Sequence, residues 1–307
     1  MKKIDFHVHV QGNLSVESAA NGFRDMCQRH GYSGVGIMSL YYKDFLECND
    51  FVLKVKDALK DSYAFAALLP GEDFATQAKR LMSSGFDGIK LIRGGKPNYQ
   101  RLFGYTYDAP IYEDFFALAE EDQIPILMHS NDPALNWDIS RASQRAIDNG
   151  WVYDETYPSH EFFYSVIDRV LEKHPKLNIA IAHLGFYSED IDRAIDLLER
   201  YPSLKFDITP ALNIYFEMSE YRDKARKFFC DYNDRLIFGT DAENPLIGFS
   251  REYNDRKNLI TNTFLSGDRE SEHVFDGKII RPIGLDDTVL ENVYYNNAIR
   301  FVSAYQK

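Results

Sequence analysis

Cysteine is scarce in this 307-residue chain, and positive charge is in deficit. The three cysteines, Cys27, Cys48 and Cys230, are odd in number and far apart. That excludes a disulfide framework, and the lack of a Cys-x-x-Cys pair excludes a zinc ribbon or a dithiol redox motif. The thiols suit a reducing compartment. Lys and Arg number 35 against 47 Asp and Glu, a formal net charge of -12, which repels phosphate backbones and anionic lipid. No apolar run approaches the roughly 20 residues a membrane-spanning helix needs. Met1 leads straight into a strand-like segment, with no basic region, apolar stretch and cleavage site before it. The expectation is a cytoplasmic enzyme acting on a small molecule, with neither nucleic acid nor membrane as partner.

What is present is apolar residues enough for a large core, at 45% of the chain. Nothing in the composition asks for a second domain, so residues 1–307 are read as one. Eight apolar or β-branched runs are each followed by a stretch of helical periodicity, the signature of parallel strands with crossover helices. The strands are expected at 3–10, 34–40, 63–69, 87–93, 124–130, 177–184, 204–210 and 236–241. The helices are expected at 15–29, 43–60, 72–84, 111–122, 160–173, 188–200, 218–232 and 287–304, with Ser159 and Ser188 as N-caps. Eight such pairs point to an α/β fold of the closed (β/α)8 TIM-barrel type rather than an open sheet. Helix-to-strand links are short, whereas the strand-to-helix segments 94–110, 131–158 and 242–286 are long. In a barrel those long loops share the C-terminal face, where active sites are built.

Polar residues interrupt the strands where an inner strand should be apolar. In Ile4-Asp5-Phe6-His7-Val8-His9-Val10, alternation puts Asp5, His7 and His9 on one side and the apolar residues on the other. Two inward imidazoles need partners, which either mutual hydrogen bonds or a metal ion can supply. His129, His183 and Asp241 each close a further apolar run, and Lys90 lies inside Gly88-Ile89-Lys90-Leu91-Ile92. Strand ends 1, 4, 5, 6 and 8 therefore direct metal-ligating or proton-transferring groups to one rim.

Taken together, His7-Val8-His9, His129, Ala182-His183-Leu184-Gly185 and Phe238-Gly239-Thr240-Asp241 resemble the amidohydrolase superfamily, in its amidohydrolase-2 branch. That branch includes aminocarboxymuconate semialdehyde decarboxylase. The resemblance extends to Gly88-Ile89-Lys90-Leu91, to Tyr157-Pro158-Ser159-His160-Glu161 and to the C-terminal Tyr294-Tyr295-Asn296-Asn297-Ala298, and so covers nearly the whole chain. It implies that His7, His9, His129 and Asp241 ligate one divalent metal, zinc by preference, with His183 beside the reacting water. A bound metal can lower a water's pKa from 15.7 to about 7. Asp241 would then move a proton and His183 orient the nucleophile or polarise a carbonyl. A carbamylated Lys90 would add a second metal, while an unmodified Lys90 would pair with a carboxylate or a substrate anion. The resemblance also makes a homo-oligomer an expectation.

Among the remaining groups, His160 and Arg93 are candidates for touching substrate, and Lys96, Arg101, Arg141 and Arg145 could receive a substrate carboxylate. His30 and His174 fall at helix C-termini, where a partly charged imidazole suits the dipole. Trp137 and Trp151 either shape a pocket or anchor the loop after strand 5. The first functional reading is hydrolysis of an amide, ester or lactone by metal-activated water. The second is non-oxidative decarboxylation, or hydration, of an unsaturated or aromatic acid at the same site. The third is an inert barrel that binds metal or ligand without turnover.

Overall fold

Short runs of β-branched and small apolar residues build a parallel sheet among the described residues of the computed structural model, which are 1–10, 14–39, 45–211, 213–243, 251–275 and 277–305. The expected strand end at 40, the helix start at 43 and 44, and positions 244–250 and 276 of the last long loop lie outside them. The strands are β1 (Ile4–Val10), β2 (Gly34–Ser39), β3 (Tyr63–Ala67), β4 (Gly88–Leu91), β5 (Ile126–Met128), β6 (Ile179–Ile181), β7 (Lys205–Asp207), β8 (Leu236–Ile237) and β9 (Ala242–Glu243). Each pairs in parallel with its neighbour in sequence from β1 to β8. The run that begins as β8 beside β7 continues as β9 beside β1, with Val8 opposite Ala242. Phe6 N donates to Phe238 O at 3.1 Å and Asp241 N to His7 O at 2.8 Å across the same seam. The sheet closes as the expected (β/α)8 barrel.

Helices Val16–His30, Phe45–Asp57, Phe74–Ser83, Glu113–Asp122, His160–Lys173, Ile191–Arg200 and Arg222–Asp231 return the chain between strands. Ser159 caps its helix by accepting from Phe162 N at 3.2 Å. Ser188 does not cap: the next helix starts at Ile191, and the Ser188 hydroxyl goes to Glu217 instead. The helix expected at 218–232 is two pieces, Ile214–Ser219 and Arg222–Asp231. Outward residues such as Val8, Ile37, Ala66, Ile89, Ile126 and Ile179 pack on the helix ring.

A smaller cluster fills the barrel's lower interior: Ile4, Phe6, Met38, Phe65, Leu127, Ala180 and Ile237, with Ala298 and Phe301. Ile4 and Phe6 thus point inward while Val8 and Val10 point outward, a change of side that strict alternation forbids. A bulge between Asp5 and Val8 explains it, since three steps along β1 match two along β2. This corrects the expectation that Asp5 shares a face with His7 and His9. Asp5 lies across the sheet, accepting from Thr240 N at 2.9 Å and Thr240 Oγ1 at 2.6 Å. Burial pushes its carboxyl up to about 7.

The C-terminal helix seals the bottom. It runs as Asp287–Glu291, a π turn at Asn292–Asn296 and Asn297–Ser303, matching the expected 287–304. Asn297 Nδ2 donates to Leu236 O at 2.6 Å, and the Phe301 ring packs 5.8 Å from Phe6 and 6.3 Å from Phe65. The long loops carry structure of their own: helices Pro97–Phe103, Gln144–Asp148 and Arg251–Ser266, and the hairpin of β10 (His273–Phe275) with β11 (Lys278–Ile280). No helix among the described residues is long and apolar enough to cross a membrane. Replacing the fully buried Phe301 by Ala is expected to cost about 3–5 kcal/mol, read as a lower urea midpoint. A change below about 1 kcal/mol would contradict the sealing role.

Candidate metal centre and active site

Above the apolar layer the interior turns polar. β1 supplies His7 and His9, β4 supplies Lys90, β7 supplies Asp207, and the ends of the runs through β5, β6 and β8 supply His129, His183 and Asp241, all buried except the partly open Asp241. Gly239 makes room for this layer, because a Cβ there would stand 2.8 Å from His7 Cβ and 2.7 Å from Thr209 Cγ2.

Hydrogen bonds fix the imidazoles. His7 Nδ1 lies 2.5 Å from Asp207 Oδ2, a carboxylate that can only accept, so Nδ1 carries the proton and Nε2 offers a lone pair. Thr209 N and Oγ1 in turn donate to Asp207 Oδ1, both within 2.6 Å. His9 Nδ1 faces the Met38 carbonyl at 3.3 Å, which by the same logic leaves its Nε2 as a lone pair. The two Nε2 atoms face each other at 3.2 Å, with Asp241 Oδ1 3.7 Å from the first and 3.0 Å from the second. Burial holds His7 and His183 well below the ordinary histidine value, and His129 below it, which keeps them neutral.

Three lone-pair donors turned toward one point suit a shared cation. The donor set therefore fits a divalent metal, and His7, His9 and Asp241 form the group that could hold one. Lys90 Nζ donates to His7 Nε2 at 3.1 Å, so this lysine meets an imidazole there; burial lowers it to about 8.

The fourth expected ligand stands apart from that trio. His129 Nε2 lies 3.1 Å from Asp132 Oδ1, and Lys96 Nζ reaches the same oxygen at 3.2 Å. The Tyr153 hydroxyl takes the other oxygen. Burial opposes the charge of Asp132, but Lys96, His129 and Tyr153 together hold its carboxyl below the usual carboxylate range. The His129 ring is 5.3 Å from that of His183, which is 5.5 Å from that of His7, so both flank the trio. His183 Nδ1 faces Thr209 O at 3.3 Å.

Backbone strain marks the same place. His183, Leu184, Gly185 and Phe186 all have φ between 52° and 60°, a single left-handed turn, and Asp241 has φ 53°. Each non-glycine residue there costs about 1–3 kcal/mol and persists only where its surroundings enforce it. Lys257 helps to enforce Asp241: its Nζ donates to the Asp241 carbonyl at 2.6 Å and stands 3.6 Å from Oδ2. Burial works against the charge of Asp241, yet Lys257 holds it well below the ordinary carboxylate value.

A cavity of about 460 Å³ opens over His129, His183 and Asp241. Its walls are basic and aromatic, with Arg141, Arg145, Arg256, Lys257 and Lys278 beside Trp151, Phe186, Phe216, Tyr253 and Phe275. Arg93 is buried with its guanidinium 4.7 Å over the Phe103 ring, and does not line this cavity. His160 lines an adjoining one, its Nε2 3.1 Å from Asp132 O. Trp137 Nε1 donates to Pro158 O at 3.0 Å and so anchors its loop. Arg101 binds Thr156 and Tyr157.

The family model for amidohydrolases matches residues 4–303. The chain belongs to the amidohydrolase family. Its members are metal-dependent, which agrees with the donor set. Among solved structures, a 2,6-dihydroxybenzoate decarboxylase bound to 2,6-dihydroxybenzoate aligns at 15% identity, covering 98% of each chain with a TM-score of 0.58. A 5-carboxyvanillate decarboxylase from Sphingomonas paucimobilis aligns at 10% identity over 98% of this chain and 99% of its own, with a TM-score of 0.61. A dihydroxybenzoic acid decarboxylase from Polaromonas, holding manganese and the inhibitor 2-nitroresorcinol, aligns at 15% identity over 100% and 97%, with a TM-score of 0.58. At such identities the likeness speaks for the amidohydrolase barrel alone. No curated protein matches in sequence.

The sequence reading missed Asp207, Asp132 and Lys257. Asp207 had a signal, since Lys205-Phe206-Asp207-Ile208-Thr209 places a carboxylate inside an inner strand as His7 and Lys90 are placed. Asp207→Asn is expected to weaken divalent metal affinity 10–100-fold with the fold intact, because it loosens the tautomer of His7. Competition against a chelating indicator measures this, and unchanged affinity would remove Asp207 from the site.

Proposed function

We propose that the chain is a metal-dependent lyase that removes carbon dioxide from a small planar aromatic or unsaturated acid. The observation that carries this reading is the cavity wall: five cationic side chains and several aromatic rings, in a protein of net charge -12. Guanidinium and ammonium groups receive a carboxylate, and aromatic walls receive a flat ring. The decarboxylases among the structural neighbours support the same choice. The sequence alone put hydrolysis first, and the chemistry of the wall favours the second reading.

The proposed ligands are His7, His9 and Asp241, with His129 as the fourth. When bound, a divalent cation would supply Lewis acidity toward a substrate oxygen. Zinc suits these donors, and the manganese of the Polaromonas neighbour shows what a similar barrel accepts. The chain's own residues do the rest. Cationic side chains hold the acid over the floor, and apolar rings exclude water. The carbon–carbon bond to the carboxylate breaks, and its electron pair stays on the ring carbon. That carbon takes a proton relayed by Asp241 or His183, carbon dioxide leaves, and solvent restores the proton. The free thiols Cys27, Cys48 and Cys230 support a cytoplasmic setting.

Hydrolysis keeps one observation in its favour. His183 and Asp241 both line the cavity, where activation of a water needs a proton-transferring group. The two reactions separate on a panel of hydroxybenzoates and unsaturated acids set against lactones and amides. Carbon dioxide release from an acid, lost at least about 100-fold in Asp241→Asn, is the expected result. Turnover of a lactone or amide with no gas from any acid would overturn it.

A further inference from the structure

Asp132 is a hub in the wall of the cavity, buried and with every polar atom engaged. Its N–H donates to Asn131 Oδ1 at 3.0 Å, and its carbonyl accepts from His160 Nε2 at 3.1 Å. On the side chain, Oδ1 takes both His129 Nε2 and Lys96 Nζ, and Oδ2 takes the Tyr153 hydroxyl. Four segments meet on this one residue: His129 ends the run through β5, Lys96 follows β4, Tyr153 follows helix Gln144–Asp148, and His160 opens helix His160–Lys173. Aromatic rings back the outer partners. Lys96 Nζ stands 4.3 Å from the centre of the Trp151 ring, and the Tyr153 ring centre lies 4.7 Å from that of Trp137 and 5.1 Å from that of Tyr157.

These contacts place the proton of His129. A carboxylate only accepts, and the Lys96 ammonium favours its charge, so Nε2 carries the hydrogen and Nδ1 the lone pair. His7 is the reverse, with its hydrogen on Nδ1 against Asp207. The two oxygens of Asp132 also differ in what they meet. Oδ1 faces an ammonium that can only donate, whereas Oδ2 faces a hydroxyl that can donate or accept. An asparagine at 132 can therefore keep its oxygen on His129 and Lys96 and turn its amide nitrogen to Tyr153. At 207 an asparagine has no such choice, because its amide nitrogen would face Thr209 N on one side or displace the His7 hydrogen on the other.

We infer that Asp132 is a positioning residue for the metal centre: it fixes the hydrogen of His129 on Nε2 and so leaves Nδ1 for the cation, while the two rim loops hold the carboxylate that does this. The inference rests on the reading of His129 as the fourth ligand, and adds which nitrogen binds and which side chain selects it. An imidazole held in one tautomer and one orientation loses less freedom on meeting a cation than one free to turn.

Two readouts independent of turnover test it. Long-range proton–nitrogen NMR spectra of the full chain, labelled at histidine and dialysed against a chelator, distinguish the two tautomers, and the His129 signal is assigned by its loss in His129→Gln. Zinc affinity is measured by competition with a chelating indicator. The wild type is expected to show His129 in the Nε2–H form alone. In Asp132→Ala the signal becomes a mixture of both tautomers, and zinc binds at least about 10-fold more weakly. Asp132→Asn restores the Nε2–H form and brings zinc affinity to within about threefold of the wild type, a rescue that loss of mere packing would not give. A wild-type His129 in the Nδ1–H form would overturn the inference, and that result needs no variant to fold. So would a folded Asp132→Ala with unchanged tautomer or unchanged zinc affinity. Where His129→Gln too binds zinc as the wild type does, the fourth-ligand reading has failed and the inference with it. Where His129→Gln weakens zinc and Asp132→Ala does not, that reading stands and Asp132 loses its role.

Discussion

Two imidazole lone pairs and a carboxylate oxygen, facing one another 3.0–3.7 Å apart above the apolar layer of the barrel, are the constraint on which the rest of the structure turns. They repel one another in a region of low dielectric, and Lys90 Nζ brings one positive charge to His7 Nε2. The surroundings nevertheless hold them in place. Asp207 and the Met38 carbonyl take the other ring nitrogens, so neither ring can turn its N–H toward the shared point without abandoning a partner. Lys257 clamps the strained backbone of Asp241 from outside. Gly239 leaves the space that His7 needs. A cation bound among these donors would relieve that repulsion, and its binding free energy would add to the stability of the fold.

The barrel was legible because its signal is local. Apolar runs followed by helical periodicity appear in the sequence as they stand in the structure, and the polar interruptions in strands 1, 4, 5, 6 and 8 gather at one end of the barrel. Asp5 was misplaced because a bulge depends on the register between β1 and β2, which no single strand encodes. The strand expected at 177–184 stops at Ile181, since the chain there gives up its ladder for a left-handed turn that aims His183 at the centre. Asp207 could have been read from the sequence. Helix Arg251–Ser266 could not, because Asn254, Lys257, Asn258 and Thr261 are buried on it and leave no clean apolar stripe.

The division of labour follows from the same geometry. Strand ends carry the clustered imidazoles and carboxylates, and their positions are set by a rigid sheet. The loops after β5 and β9 carry Arg145, Trp151, Tyr253 and Lys257, which meet whatever the cavity holds. One scaffold can thus keep its strand-end groups while its loops vary. Lys257 belongs to both parts, touching Asp241 on one side and lining the cavity on the other.

Anomalous X-ray diffraction from crystals of the protein purified without chelators addresses the central claim most directly. The account predicts a single strong peak bounded by His7 Nε2, His9 Nε2 and the Asp241 carboxylate, at roughly 2.0–2.2 Å from each. A map with no peak there, and with His7 and His9 joined instead by a hydrogen bond between them, would contradict it.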